Sequence, residues 1–395
     1  MFSSRFHWDL RPNRIARAIE AKRHAAIPLL DLTQSNPTHA GFDYPPDLLR
    51  ALDDPRALIY DPTPTGALPA REAVSAYYAG RGSDVAPDRI LLTASTSEAY
   101  AYLFKLLCNP GDSVLVPRPS YPLFEFLADM ESVHAVPYPL VYHGRWSIDL
   151  DALGAAISDG TRAIVVVNPN NPTGSYLKRE ELAAMAKLCD THGLALISDE
   201  VFADFHRTHD PARVSTLVSL EDCLTFGMSG LSKIAGLPQM KLGWIVVAGP
   251  SALRREAMEK LEWIADTYLS VSTPVQCAAP ALLAAGEALQ RQIRERCARN
   301  FQYVRDVLAG SAASLLDLEG GWYVTVQVPR IRTEEEWVLA LIEHEQVLVQ
   351  PGFFYDFATE AFLVVSLLTE EALFREGIGR IARLASKGFS VKSVV

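Results

Sequence analysis

The chain has 395 residues, of which 49% are hydrophobic and 21% charged, and its formal net charge is −10 at pH 7. This composition is typical of folded globular proteins and excludes an intrinsically disordered chain, while the length predicts two or three domains. The acidic balance lacks the basic surface that binding to nucleic acid or anionic lipid requires. We therefore expect small-molecule chemistry, with no nucleic-acid or membrane partner.

The amino-terminal residues predict neither a secretory signal nor a membrane anchor. The segment MFSSRFHWDLRPNR has no apolar core, and no apolar run in the chain approaches the ~20 residues that a membrane helix needs. The five cysteines are scattered and form no CxxC pair, a pattern that favours reduced thiols. We therefore expect a cytoplasmic protein.

Between residues 89 and 247, short apolar runs alternate with helix-like stretches. The predicted strands are 89–93, 113–116, 163–167, 194–197, 223–226 and 243–247, and the predicted helices are 97–107, 122–130, 150–156 and 179–192. Unbroken apolar runs are typical of strands buried on both faces. The alternation predicts an α/β fold with a large, mainly parallel sheet covered by helices.

The pattern changes from about Ala252 onward. Long helices at 252–265 and 275–308 precede shorter elements, namely strand 322–328, helix 334–345, strands 347–349 and 362–367, and helix 370–384. This order predicts a smaller α+β unit. We therefore predict an N-terminal segment at 1–45 that packs with a small C-terminal domain at 281–395, and a large domain at 46–280.

The segment after strand 89–93 opens a helix with hydroxyl side chains. Ser95 and Glu98 match a capping box, and the free N–H groups of a helix N-terminus attract anions. Together with the hydroxyls of Thr96 and Ser97, these groups can cradle a phosphate. A plain helix cap is the alternative interpretation.

Two further strands end in polar residues. The loop 168–174, which contains two prolines and a glycine, either holds the amide of Asn171 rigidly against a ligand or is a simple turn. Asp199 follows strand 194–197, and a carboxylate at a buried strand end is costly unless it is paired. It faces a cationic ligand group or caps a helix.

A lysine follows the strand 223–226. Lys233 stands in the sequence Ser-Gly-Leu-Ser-Lys, where desolvation can remove its proton and make it a nucleophile. Lys241 supplies a second positive charge eight residues later. A surface lysine is the alternative. His206 and His209 lack the further ligands that a metal site needs, so we expect no metal.

In this order, the motifs together resemble those of the aminotransferase class I/II family, the pyridoxal 5'-phosphate (PLP) enzymes of fold type I. The resemblance extends from about residue 30 to residue 385 and rests on Tyr60…Gly66, Ser95–Glu98, Pro119-Ser120-Tyr121, Asn171-Pro172-Thr173-Gly174, Asp199, Ser232-Lys233 and Pro351-Gly352. It implies that the large domain binds PLP and that an amino group passes from an amino donor to a 2-oxo acid.

The resemblance also implies roles for individual residues. Lys233 would form a Schiff base with PLP and move the substrate proton, while Asp199 would pair with the pyridine nitrogen. The remaining predicted contacts are Asn171 and Phe202 near the ring oxygen, Tyr121 on the ring face, Ser95, Thr96, Ser97, Ser232 and Lys241 at the phosphate, and Tyr60 at the phosphate of a partner in a homodimer. The predicted substrate contacts are Ser35, Asn36, Asn171 and Tyr323.

The chain departs from the family pattern at four positions. Phe202 stands where the family usually has tyrosine, Lys241 where it has arginine, and Gly230 where many members have serine. Most importantly, Val364 stands where an arginine would grip the substrate carboxylate. Three explanations stay open: another arginine such as Arg330 or Arg332 serves, Asn171 and backbone donors alone hold the carboxylate, or the substrate is not a simple α-amino acid. A PLP-dependent lyase, decarboxylase or oxidase is the alternative function.

Overall fold

The structure is a computed structural model that describes residues 2–9 and 11–387. Eleven α-helices lie in this described part, namely α1 (Arg14–His24), α2 (Leu68–Ala79), α3 (Thr96–Leu107), α4 (Phe124–Met130), α5 (Leu150–Ala155), α6 (Arg179–His192), α7 (Leu231–Ile234), α8 (Ser251–Asp266), α9 (Thr273–Leu308), α10 (Glu334–Ala340) and α11 (Glu371–Lys387). A π-helical turn, Leu341–Glu345, extends α10.

Fourteen strands lie in the same described residues. They are β1 (Leu30–Asp31), β2 (Ile90–Thr93), β3 (Ser113–Arg118), β4 (His134–Tyr142), β5 (Trp146–Ile148), β6 (Thr161–Val167), β7 (Ala195–Asp199), β8 (Thr225–Gly230), β9 (Gly243–Ala248), β10 (Ser314–Leu315), β11 (Tyr323–Gln327), β12 (Val347–Leu348), β13 (Gln350–Pro351) and β14 (Phe362–Ser366). The large sheet has the order β2-β9-β8-β7-β6-β3-β4-β5.

The large sheet confirms the predicted α/β class, although it is a mixed sheet. Strands β8, β7, β6, β3 and β4 are parallel neighbours, whereas β9 and β5 run antiparallel to the strands beside them. Strands β4 and β5 and helix α2 were not predicted. The sequence of β4, HAVPYPLVY, contains two prolines and reads as a poor strand, but its partner β5 pairs only with the end that follows them.

Parallel pairing brings the motif-bearing strand ends to one edge of the large sheet. Val167 at the end of β6 lies opposite Asp199 at the end of β7, and Asp199 lies opposite Met228 in β8. Because ligands bind beyond the carboxyl ends of parallel strands, the loops that carry Asn171, Asp199 and Lys233 meet on the ligand-binding side.

The C-terminal part builds a second, antiparallel sheet in the order β10-β11-β14-β13, as expected for a smaller α+β unit. The N-terminal segment reaches this part through β1, in which Leu30 lies opposite Val347 of β12. The proposed domain boundaries at residues 45 and 280 stay predictions, since α9 runs through Pro280 without a break.

Helix α9 contacts both parts of the fold. In its first half, the side chain of Gln290 donates a 3.0 Å hydrogen bond to the carbonyl of Ile234, which follows Lys233. In its second half, Asn300 donates hydrogen bonds to the carbonyls of Leu367 and Thr369, just after β14. One helix therefore bonds both to the lysine-bearing turn and to the end of the small sheet.

Candidate active site

Lys233 lies on the short helix α7, directly after β8, in a largely apolar environment. Its Nζ is 5.1 Å from the centre of the Trp322 ring and 5.8 Å from that of Phe202. Burial lowers the pKa of Lys233 to about 8, and the negative charge of Asp199 opposes this shift. About a tenth of the side chain is therefore a neutral amine at pH 7, far more than for an ordinary lysine, and the neutral form is what a nucleophile or a general base requires.

Asp199 is held at the end of β7 by two donors. The hydroxyl of Tyr100 donates to its Oδ2 over 3.3 Å, and the backbone N–H of Val201 donates to its Oδ1 over 3.2 Å. Burial raises the pKa of Asp199 to about 6, against these hydrogen bonds and the positive charge of Lys233. At neutral pH the group is a desolvated carboxylate that can hold a proton on a bound base.

The Asn171 amide is buried, and its Oδ1 has no hydrogen-bond partner in the protein. Its neighbour Asn170 fixes the loop, since Asn170 Nδ2 donates to the Pro119 carbonyl over 3.0 Å and the Ser120 hydroxyl donates to Asn170 Oδ1 over 2.9 Å. These bonds also tie the loop to Tyr121, whose ring is 44% exposed. A buried amide without a partner is the state expected of a ligand-binding group.

The N-terminus of α3 meets the turn that follows β8. Ser95 caps the helix by accepting the N–H of Glu98, and Gly243 packs directly against the Ser95 backbone. Gly243 is also adjacent to Gly230, which precedes α7 and has no room for a Cβ beside Leu242 and Gly243. Two helix N-termini therefore converge here, although α7 is short. The remaining predicted phosphate contacts in this part of the chain are Thr96, Ser97, Ser232 and Lys241, of which Ser97 and Lys241 are exposed.

Two other predicted residues, Tyr60 and Asn36, form no described hydrogen bond with these groups in a single copy of the chain. The Tyr60 side chain is 77% exposed and lies beside a cleft that Gly66 and Tyr102 also line. Asn36 uses its side-chain oxygen to cap Pro37–His39, accepting hydrogen bonds from the N–H and the hydroxyl of Thr38. Its oxygen is therefore already engaged within the protein.

Tyr323 lies in the interior between the two sheets. Its ring centre is 6.3 Å from that of Phe202, and the Ser35 hydroxyl is close enough to interact with its hydroxyl. Tyr323 therefore faces the same space as Phe202, while Ser35, at the other end of this contact, is exposed.

Val364 is fully buried in β14, between Thr325 of β11 and Gln350 of β13. The two arginines that were suggested to bind the substrate carboxylate in place of an arginine at position 364 lie beyond Gln327, where β11 ends. Arg330 is exposed, and the Arg332 guanidinium packs over the Trp337 ring. The structure thus does not bring either arginine to Tyr323.

The sequence did not identify several residues that complete the site. Tyr100 reaches Asp199 from the middle of α3, and the Tyr355 carbonyl accepts the N–H of Ser120 beside Tyr121. Lys178 is buried and forms ion pairs with Asp210 and Glu319. Tyr100 follows Thr96 by four residues, so both lie on one face of the helix. This spacing was the signal in the sequence that could have indicated Tyr100.

Among the described residues, none of the helices is long and apolar enough to cross a membrane.

The model of the family "Aminotransferase class I and II" matches residues 27–381. The glutamate-pyruvate aminotransferase AlaA of Escherichia coli K12 is 29% identical over 367 residues, which cover 88% of this chain and 89% of that protein. The alanine aminotransferase of Mycobacterium tuberculosis H37Rv is 30% identical over 70% of this chain and 64% of its own length. The structure of the alanine aminotransferase from Pyrococcus furiosus has the same fold, with a TM-score of 0.88 at 23% identity over 98% of this chain and all of that one.

Proposed function

The chain belongs to the class I and II aminotransferase family and is a PLP-dependent aminotransferase, and from this premise we propose that Lys233 is its catalytic lysine. The observation that carries the proposal is the desolvated amine of Lys233, whose pKa is lowered to about 8 within the electrostatic reach of Asp199. This amine would attach PLP and then move a proton at the substrate Cα. PLP, when bound, supplies the electron sink for the electrons of the broken Cα–H bond.

The other predicted residues fit the polar groups of this cofactor. The unpartnered amide of Asn171 offers a hydrogen bond to a ring oxygen, and the carboxylate of Asp199 offers a partner for a protonated ring nitrogen. Phe202, which stands where the resemblance predicts a tyrosine, has no hydroxyl to donate, so Asn171 would act there alone. The hydrogen bond between Ser120 and Asn170 fixes the residue before Tyr121, which supports a role for Tyr121 on the ring face.

The phosphate would lie at the converging N-termini of α3 and α7. The free N–H groups of α3 and the hydroxyls of Ser95, Thr96, Ser97 and Ser232 offer donors, and Lys241 adds a positive charge. The backbone of Gly230 lets the Lys233 turn approach Gly243 closely enough to form this cradle.

We also propose that the enzyme is a homodimer with shared sites. Leu58, Ile59 and Tyr60 form a run of apolar side chains that are 90%, 64% and 77% exposed, which is unusual for a monomer surface. Tyr60 would then reach the phosphate of the partner subunit. Sedimentation should give twice the chain mass of 43.4 kDa. A Tyr60→Ser variant should bind PLP more weakly, and a stable monomer that binds PLP fully would contradict this proposal.

A cytoplasmic location is proposed on the chemistry of the cysteines. All five are free thiols, and Cys189, Cys223 and Cys297 are buried, which suits a reducing compartment. Localisation of a tagged chain in its native cell tests this.

The central experiment follows the visible absorbance of PLP-loaded protein. Lys233→Ala should lose the band of the covalently attached cofactor, whereas Lys187→Ala, an exposed lysine on α6, should keep it. Borohydride reduction followed by peptide mass spectrometry should locate the cofactor on Lys233. An amino donor should bleach the band and an oxo acid should restore it. Release of ammonia or CO2 without an acceptor would instead favour the lyase, decarboxylase or oxidase reaction.

A further inference from the structure

The face of the small sheet that carries Tyr323, whose ring centre is 6.3 Å from that of Phe202, has no charged residues. Residues that share this face are set by the register, in which Tyr323 pairs with Ser366, Thr325 with Val364, and Gln350 with Val364. Alternate residues of a strand point to the same side. The face therefore comprises Tyr323, Thr325 and Gln327 of β11, Phe362, Val364 and Ser366 of β14, and Gln350 of β13, all of which are uncharged.

The polar groups of this face are mostly occupied by one another or by the backbone. The Tyr355 hydroxyl donates to the side-chain oxygen of Gln350, and the Ser366 hydroxyl donates to the carbonyl of Gln34. Thr325 Oγ1 is buried without a partner, beside the fully buried Val364. The face thus offers neutral hydrogen-bonding groups and apolar surface.

The influences on the pKa values of Tyr323 and Tyr355 also indicate an uncharged face. Burial raises the pKa of Tyr323, and the other influences on this pKa come from Ser35, Tyr121 and Cys297. Burial likewise raises the pKa of Tyr355, which otherwise responds only to Tyr323 and Tyr121. Among the described residues, therefore, no lysine or arginine contributes to the shift of either pKa.

Two arginines that lie close to the ends of these strands are engaged elsewhere. Arg296 is largely buried, donates to the carbonyls of Ala40 and Leu368, and pairs with Glu371. Arg332 packs over Trp337. Moving a carboxylate out of water against a neutral wall carries a large desolvation penalty that only a charge partner or several donors can offset.

We propose that the amino-group substrate carries an uncharged group, a carboxamide, a hydroxymethyl or a hydrocarbon, at the position where an α-amino acid carries its carboxylate. The substrate class is thus an amine, an amino alcohol or an amino-acid amide, and the neutral group contacts the face formed by Tyr323, Gln350 and Val364. This inference rests on the proposed role of Lys233, which sets the position of the amine. An oxo acid meets the same wall, so we expect oxo-acid acceptors to saturate only at high concentration.

The test compares matched acids and amides that lack the amine and cannot react. Propanoate with propanamide, and 3-phenylpropanoate with 3-phenylpropanamide, are titrated into PLP-loaded enzyme and followed by ligand-observed NMR. We expect at least one amide to bind at least ~10-fold more tightly than its acid, and acid binding to be unchanged between low and high salt. Acids that bind as tightly as their amides, with affinity that falls as salt rises, would show that a cation serves the pocket and overturn the inference.

A charge introduced on the face provides the second test. Gln350→Arg, at a partly buried position beside Val364, should reverse the preference toward the acid, whereas Gln302→Arg adds the same charge on the exposed side of α9 and should leave it unchanged. A folded Gln350→Arg enzyme with an unaltered preference would contradict the assignment of the face. If it does not fold, the wild-type comparison decides. Because every titration uses enzyme whose cofactor is attached at Lys233, absence of that attachment would refute the proposed function separately.

Discussion

The Nζ of Lys233 lies 5.1 Å from the centre of the Trp322 indole ring and 5.8 Å from the centre of the Phe202 ring. Aromatic faces attract a cation, an effect of about 0.5–2 kcal/mol that grows with desolvation. Burial lowers the pKa of Lys233, and the negative charge of Asp199 opposes that change. Contact with the two rings favours the charged amine as well. The pKa of about 8 is therefore a balance that single substitutions can move.

Trp322→Leu should lower the pKa of Lys233 below about 8, by on the order of half a unit, because the charged form loses its strongest aromatic contact. The rate at which the apoenzyme takes up PLP depends on the neutral amine, and its pH profile reports this pKa. The profile should move to lower pH in Trp322→Leu. Trp263→Leu removes an indole that is 77% exposed and should leave the profile in place. A shift to higher pH would contradict the cation–π contribution.

Asp199→Asn should stabilise the apoenzyme while it impairs cofactor binding. The folded-state pKa of Asp199, about 6, lies above the unfolded value of 3.8, so the folded protein binds more protons between these values and loses stability as pH rises through 6. Asparagine does not titrate. We expect a gain of about 1–2 kcal/mol at pH 7.5 and a smaller one at pH 5, from urea unfolding of both apoproteins. A variant less stable than the wild type at pH 7.5 would refute the desolvation argument.

Lys178→Met should destabilise the protein by about 3 kcal/mol, because it leaves two carboxylates without their buried partner. Lys178 is 4% exposed, and its ammonium joins Asp210 to Glu319, which precedes the glycines before Trp322. The denaturant midpoint measures the loss. Lys187→Met on the exposed side of α6 is the matched control and should change stability by less than about 0.5 kcal/mol. Equal effects of the two substitutions would show that the ion pairs contribute nothing.

Gly174→Ala should be more damaging than an alanine at a glycine in open space. A Cβ at Gly174 would lie 2.2 Å from Leu318 Cδ1 and 2.4 Å from the Gly320 carbonyl oxygen, and φ is +68°. Gly111 has φ of +90° and no neighbour within 4 Å, so Gly111→Ala measures the backbone strain alone, about 1 kcal/mol. We expect Gly174→Ala to cost at least about 3 kcal/mol in chemical denaturation. Similar values for both would mean that the loop yields freely.

The candidate residues that follow buried strands could be predicted from the sequence, because strand ends set their position. Asp199 ends β7 and Lys233 lies on the turn of helix that follows β8, and parallel register brings such residues to one edge of the sheet. Tyr100 and Tyr355 were not found, since their contacts with Asp199 and Ser120 depend on packing between elements far apart in the chain. Helix α2 was missed for a related reason, because its burial comes from contact with α9 rather than from a strong pattern of its own.

Val364 illustrates the limit most clearly. The sequence shows that β14 holds no basic residue, but three explanations remained open at that point. The strand register reduces the number of explanations. It places Thr325 and Gln350 on either side of Val364, and it leaves Arg330 and Arg332 beyond the end of β11. A strand's neighbours come from elsewhere in the chain, and no local pattern encodes them.

Helix α9 gives this pocket a mechanical property. At 1.5 Å per residue its 36 residues form a rod of about 54 Å, with Gln290 bonded to the carbonyl of Ile234 and Asn300 bonded to the chain just after β14. A movement of β14 toward the turn that carries Lys233 would have to tilt or bend this helix or break one of these hydrogen bonds. A substrate whose binding narrows the pocket would therefore have to supply the free energy for this change in α9.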